Sequence, residues 1–342
     1  MKIRSLALSL AVTALIPGAV HAQETILKVA HFLPPISPAH TKFITPWCDK
    51  IAAESQGKLK CQIYPAMQLG GTPPQLLNQV RDGVADIVWT LPGYTPGRFA
   101  TSEVFELPFI TTRHQPSSRA MWDFVQKHSM KEFAGLKPIA TWVNGPNVLH
   151  FRDKNVQTLA DMKGVKVRAP SRLGTKVLTA LGATPVGMPV PQMSESLAKG
   201  VIDGALIPWE VVPATKAHEL TRYHLEADGE HTLTTATMIF VMNKKKYDSL
   251  SPELKKVIDD NSGRETSAWA SAQFEAADAG GREIAVAAGN TVSKLPAEET
   301  AKWEAATRPV VDEWIKEISA KGVDGKQLHE DAVSLVNQYS KQ

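Results

Sequence analysis

One short motif occurs twice in this chain, and it limits the fold more than any other feature. "VRDGVADIVWTLP" (80–92) is echoed by "LAKGVIDGALIPW" (197–209), with Gly83 matching Gly200, Val84 matching Val201 and Asp86 matching Asp203. Each copy reads as a helix that stops at glycine and a strand that starts after aspartate. The surroundings repeat as well. Residues 24–94 read strand, helix, strand, helix, strand, and so do residues 167–210. That order implies parallel strands with helices on the sheet faces. The expected fold is α/β, with two lobes of similar build and a cleft between them.

The rest of the chain can be fitted around that plan. "ETILKVAHF" (24–32) is a first strand, followed by a loop with three prolines. Phe43, Trp47 and Ile51 recur at helical spacing, and Leu59, Cys61 and Ile63 share one face of a strand. From Ser251 a helical tract runs to about residue 285. Ser251 suits its cap, Pro252 its first turn and Glu253 its dipole. The tract is too long for one lobe and is predicted to link both. The domain assignment is lobe one at 23–148 plus about 237–262, and lobe two at 149–236 plus about 275–300. The C-terminal helices take 297–342, with Trp303 and Trp314 as packing residues. The chain is expected to cross between lobes near 144–150 and 232–238.

The N-terminus reads as a secretory signal peptide. Lys2 and Arg4 precede an apolar run from Leu6 to Ile16, and Val20, His21 and Ala22 form a small-residue cleavage site after Ala22. The run is too short to span a bilayer, and Gln23 after the site is no lipid-anchor cysteine. The mature chain is expected to be periplasmic, without direct membrane insertion. Two of the 38 basic side chains leave with the leader, so 36 face 35 acidic ones. That near-neutral balance argues against nucleic-acid binding, which needs a basic stripe. Two cysteines, Cys48 and Cys61, suit a disulfide in an exported chain, with two buried free thiols as the alternative.

Catalytic motifs are missing. There is no His-Glu-x-x-His, no Gly-x-Ser-x-Gly and no Walker loop. The histidines are scattered, so no metal or cofactor is expected. Binding signals are better. Open α/β sheets take ligands beyond the carboxyl ends of their strands. "WTLPGY" (89–94) and "IPWE" (207–210) fall there, and so does Arg168, at the end of the predicted strand in "GVKVRAP". On spacing alone Arg168 is either a solvated cation or a clamp for a carboxylate. Trp89 and Trp209, at corresponding places in the repeat, are either lobe core or walls of a ligand sandwich. Glu210 is a surface acid, a ligand acceptor or a partner of Arg168.

Taken together, the two repeat segments with "FELPF" (105–109) and "LADMKGVKVRAPS" (159–171) resemble the DctP-type substrate-binding proteins of TRAP transporters. The resemblance covers nearly the whole mature chain. It implies two α/β lobes joined by hinge strands and a long helix, closing over an organic acid. It also implies permease subunits of a TRAP transporter as partners. Arg168 falls on the family's carboxylate-clamping arginine. The pattern departs at "NGPNVLHF" (144–151), where Asn147 and His150 stand where sialic-acid binders carry another arginine. It departs again at Ile207, where many members carry asparagine before the proline. Both changes make the pocket less polar and favour an aromatic or apolar monocarboxylate, such as a benzoate-like or aryl 2-oxo acid. The candidate contacts are Phe32, Trp89, Thr90 and Phe109 from lobe one. From the hinge and lobe two they are Asn147, His150, Arg168, Met188, Pro208, Trp209 and Glu210. The expected molecule is a monomeric transport binding protein and not an enzyme. A ligand-sensing protein feeding a receptor, or a binder of a sugar acid or small hydroxy acid, is the alternative.

Overall fold

The computed structural model describes residues 24–227 and 229–341, so the expected leader lies outside the described residues. Lobe one contains strands β1 (Thr25–Ala30), β2 (Leu59–Tyr64), β3 (Ile87–Thr90) and β4 (Leu136–Val143). Helices α1 (Thr45–Glu54), α2 (Leu76–Asp82) and α3 (His114–Phe124) lie between them. Lobe two follows with β5 (Val148–Phe151), β6 (Lys166–Ala169), α4 (Arg172–Ala180), β7 (Thr184–Gly187), α5 (Val190–Ala198) and β8 (Gly204–Ile207). Two short helices, α6 (Val212–Thr215) and α7 (Ala217–Leu220), precede β9 (Tyr223–Glu226). The chain then returns to lobe one as β10 (Thr237–Asn243).

Both sheets are mixed, not purely parallel. In lobe one the order is β2-β1-β3-β10-β4, with β1 parallel to β2 and β3, and β10 antiparallel to β3 and β4. In lobe two β6 is parallel to β7 and β8, while β5 runs antiparallel to β8 and β9. The strands joined by crossover helices are the parallel ones, as those connections demand. β5 and β10 enter from the other lobe and are free of that rule. The repeated motif does the same work in each lobe. Asp86 Oδ2 accepts the Lys28 N–H at 2.8 Å, and Asp203 Oδ2 accepts the Lys166 N–H at 2.8 Å. Gly83 and Gly200 turn the chain at φ 79° and 71°, a region that costs glycine little. Each aspartate therefore ties the start of one strand to its parallel neighbour.

The linking tract is not the single helix expected from Ser251. α8 (Lys244–Asp248) and α9 (Pro252–Asp260) come first, and the long helix α10 (Arg264–Ala287) starts afresh. The break falls at Gly263, whose φ of 115° is closed to most side chains and whose N–H donates to Ile139 O on β4 at 2.8 Å. α10 packs on α3 and β4 of lobe one and then on the turn after β8 of lobe two. Gly281 makes the second contact possible, because a Cβ there would lie 2.0 Å from Trp209 O. β11 (Thr291–Lys294) adds a parallel edge strand to β9. α11 (Ala297–Ser319) then lies on α4 and α12 (Gly325–Ser340) on α3. The pair spans both lobes, with Trp303 and Trp314 buried. In the lobe-one core the Phe43 and Trp47 rings meet Phe240 edge to face at 5.3 and 5.0 Å. Cys48 on α1 and Cys61 on β2 form a disulfide, with Cα atoms 5.7 Å apart.

The two crossings run side by side. Asn144 N–H donates to Ala236 O at 3.0 Å, and Asn147 N–H donates to Thr234 O at 3.1 Å. The segments between β4 and β5 and between β9 and β10 therefore form one paired hinge, directly behind the cleft.

Candidate binding site in the cleft

The cleft holds a small, nearly closed cavity, lined from both lobes and from the hinge. Strand alternation decides which lobe-one side chains reach it. Trp89 and Leu91 line it, whereas Thr90 between them is buried on the other face. Phe32 lies flat on Trp89, with centroids 4.7 Å apart and planes 16° from parallel. Leu33 completes this wall. From lobe two come Arg168, Pro170, Val190, Ile207, Pro208 and Val211, and from the hinge Asn144, Asn147, Ala236 and Met238.

Arg168 is 1 % exposed. Nε donates to Met188 O at 2.9 Å and Nη1 to Leu206 O at 3.1 Å, while Nη2 has no partner. No carboxylate pairs with it among the described residues. Burial pulls the guanidinium below its ordinary range, partly offset by the neighbouring Tyr94 hydroxyl, yet an arginine keeps its charge. A buried charge without a counter-ion costs several kcal/mol. An anion entering the cavity would supply the missing charge. Two more buried donors on lining residues lack partners, Asn147 Nδ2 and Trp89 Nε1. Every other side chain in the lining except Asn144 is apolar. There is no second cation for another carboxylate and no acid for an amine.

The lobes touch over this cavity. The Tyr94 hydroxyl accepts the Val190 N–H at 3.1 Å. Gly93 lies so close to Ser171 that a Cβ would come within 2.6 Å of the serine Cβ. Further out, Arg172 at the start of α4 pairs with Glu103 of lobe one and, at 2.5 Å, with Glu317 of α11. A wider hollow at Arg152, Lys154, Lys163 and Asp203 lies at the opposite ends of the lobe-two strands and is open to solvent.

Several expected contacts sit elsewhere. Pro208 leads into a 3-10 turn, Trp209–Val211. At three residues per turn Pro208 and Val211 share a face, so Trp209 and Glu210 point away from the cavity. Trp209 donates Nε1 to Glu226 at 2.9 Å and packs edge to face on His150 at 4.9 Å. His150 itself faces its cross-strand partner His224, with Nδ1 atoms 2.7 Å apart. Burial lowers both rings, His150 well below the ordinary range and His224 to about 4. Glu210 is buried beside Asp278 of α10, and burial first, then that neighbour, raises its carboxyl well above the ordinary range. Phe109 is half-buried at φ 56° with its N–H on Thr232 O, and Met188 offers the cavity arginine its carbonyl only. Leu33, Asn144, Pro170, Val190, Val211, Ala236 and Met238 line the cavity but were not among the contacts expected from sequence.

The fold and an anion-seeking interlobe cavity define a solute-binding protein, and comparison with known proteins narrows the class. Residues 29–317 match the bacterial extracellular solute-binding proteins, family 7, the DctP family, and the chain belongs to that family. A TRAP solute-binding protein from Rhodoferax ferrireducens T118, solved with copurified benzoate, is 46 % identical with a TM-score of 0.91, over 93 % of this chain and 99 % of that one. A marine metagenome TRAP protein specific for aromatic acid ligands, solved with 3-hydroxybenzoate, is 44 % identical at the same TM-score and coverage. A TRAP protein from Bordetella bronchiseptica with bound mandelate is 25 % identical, with a TM-score of 0.85, over 92 % of this chain and 99 % of that one.

Proposed function

We propose that this protein captures an aromatic monocarboxylate in its interlobe cavity and delivers it to the permease of a TRAP-type, ion-gradient-driven transporter. The observation that carries the reading is Arg168, a buried cation with an unused N–H, facing a cavity whose walls are apolar apart from the two hinge asparagines and the Trp89 N–H. The ligand carboxylate meets Nη2 of Arg168 and cancels its charge. The ring lies against Phe32, Trp89 and Ile207, where burial of apolar area contributes about 25 cal/mol per Å². The benzoate, 3-hydroxybenzoate and mandelate in the related structures support this ligand class. The chain acts by binding and closing, not by catalysis, as a periplasmic monomer released from its leader after Ala22. No helix among the described residues is long and apolar enough to cross a membrane.

The test is thermal melting of the purified protein against benzoate, 3-hydroxybenzoate, mandelate, a sugar acid and a four-carbon dicarboxylate. A ligand at a hundred times its Kd adds about 2.7 kcal/mol to the folded state. The three aryl acids are expected to raise the melting point and the other two to leave it in place. The opposite ranking overturns the proposed ligand class.

A further inference from the structure

The hinge contains a chain of hydrogen bonds that ends in the cavity. Asn144 and Asn147 are each 3 % exposed. The Ala236 N–H donates to Asn144 at 2.7 Å, and only an oxygen can accept it, so Oδ1 of Asn144 is fixed. Asn144 must then present Nδ2 on its other side, where it donates at 3.4 Å to Asn147. That partner must in turn be Oδ1. Asn147 is left with Nδ2 as its free end, buried and without a partner, on a residue that lines the cavity. The backbone amide that starts this chain belongs to the segment returning from lobe two, 92 residues away.

Topology places this amide near the arginine. β5 is antiparallel to β8 with Val148 opposite Ile207. Asn147, just before Val148, therefore sits at the same sheet edge as the carboxyl end of β8, beside Pro208. β6, which carries Arg168, pairs with the other side of β8. Two unused N–H donors thus flank one strand end, and a carboxylate has two oxygens to give them.

We infer that Asn147 is the second donor to the ligand carboxylate and that Asn144 is a positioning residue, holding the Asn147 amide so that its N–H groups face the cavity. The inference rests on the aryl-acid reading above. It makes the grip on the ligand depend on the pairing of the two hinge segments. Opening the hinge breaks the Ala236 link, frees the Asn147 amide to turn, and weakens its hold on the carboxylate.

The experiment is an equilibrium titration with benzoate of the wild type, Asn147→Leu, Asn144→Asp and the double variant, each first melted without ligand to confirm folding. Asn147→Leu removes the donor and is expected to weaken binding roughly ten- to hundredfold, as for a hydrogen bond to a charged group. Asn144→Asp still accepts from Ala236 but cannot donate. It draws Asn147 Nδ2 toward itself and is expected to weaken binding as well. Asn144→Asp also puts a negative charge on the cavity wall, so in the Asn147→Leu background it is expected to add a further loss by repelling the ligand carboxylate. Wild-type affinity in Asn147→Leu overturns the inference and leaves the proposed function standing. Absence of wild-type binding to benzoate, 3-hydroxybenzoate and mandelate overturns the proposed function, and the inference with it. If a variant fails to fold, the ¹⁵N spectrum of the wild type decides: the Asn147 side-chain amide signals are expected to move with benzoate, and unmoved signals overturn the assignment.

Discussion

Replacing Gly93 with alanine tests whether contact between the lobes sets ligand affinity. A Cβ at this position would lie 2.6 Å from the Ser171 Cβ and 3.4 Å from its Cα. Carbon atoms rest at about 3.5–4.0 Å, so the lobes must part by roughly 1 Å at this point. Neither atom is the end of a flexible chain, and side-chain rotation gives no relief. The same displacement stretches the bond from Val190 N–H to the Tyr94 hydroxyl, now 3.1 Å, beyond useful range. Its loss costs about 1 kcal/mol, and overpacking adds about 1–3 kcal/mol. Both costs fall on the closed form alone. Affinity is therefore expected to fall by about thirtyfold to several hundredfold, since each 1.4 kcal/mol is a factor of ten. The assay is calorimetric titration with benzoate, alongside a melt of the ligand-free protein. The melt is expected to stay within about a degree, because the open form accommodates the methyl group. Wild-type affinity in Gly93→Ala would refute the reasoning.

Other expectations follow from the same contacts. Glu103→Gln removes the lobe-one partner of Arg172 and is expected to speed ligand release severalfold at low salt, with the difference shrinking at high salt. Burial, the larger effect, lifts the Glu103 carboxyl against the pull of Arg172, so the pair is credited with only about 1 kcal/mol. Stopped-flow release that is equal in both proteins at every salt concentration contradicts this. Glu210 carries a carboxyl raised by burial, so the folded state keeps a proton that the unfolded chain loses above the ordinary value of 4.5. Its contribution to stability is full below that pH and is lost as pH rises through the folded-state value. Glu210→Gln is expected to flatten the fall in melting point between pH 5 and pH 8, and an unchanged slope counts against the assignment. Reduction of the Cys48–Cys61 disulfide, which closes a loop with a sequence separation of 13, is expected to cost about 3 kcal/mol and lower the melting point by several degrees. Melts with and without reductant that coincide would show that the bond adds nothing.

How much of the site could be read from sequence depended on how far each residue's direction was set locally. Asp86 and Asp203 were legible because the repeat matched them, and both cap a neighbouring strand. Arg168 was legible because a strand-end arginine has few places to point and the family resemblance chose among them. Trp89 lines the cavity, while Thr90, next to it, does not, since naming a segment ignores the alternation of its faces. Trp209 and Glu210 went astray for a related reason. The 3-10 turn after Pro208 was not foreseen, and it sends Val211 to the cavity in their place. His150 looked like a polar pocket residue, but its partner on β9 is 74 positions away. Asn144, Ala236 and Met238 were missed although both crossings had been expected near them, because the pairing between distant segments is a tertiary fact. The break at Gly263 was equally hidden: glycine is tolerated inside helices, and only the bond to Ile139 shows why this one ends the turn.

The most direct test of the account is the Kd of benzoate for the wild type and for Arg168→Ala, measured by equilibrium titration at neutral pH. The account predicts saturable one-to-one binding by the wild type and a loss of at least a hundredfold in the variant, as expected when a buried charge pair loses one member. Equal affinity in the two proteins would contradict it, because the ligand would then be held without the one buried cation that the cavity offers.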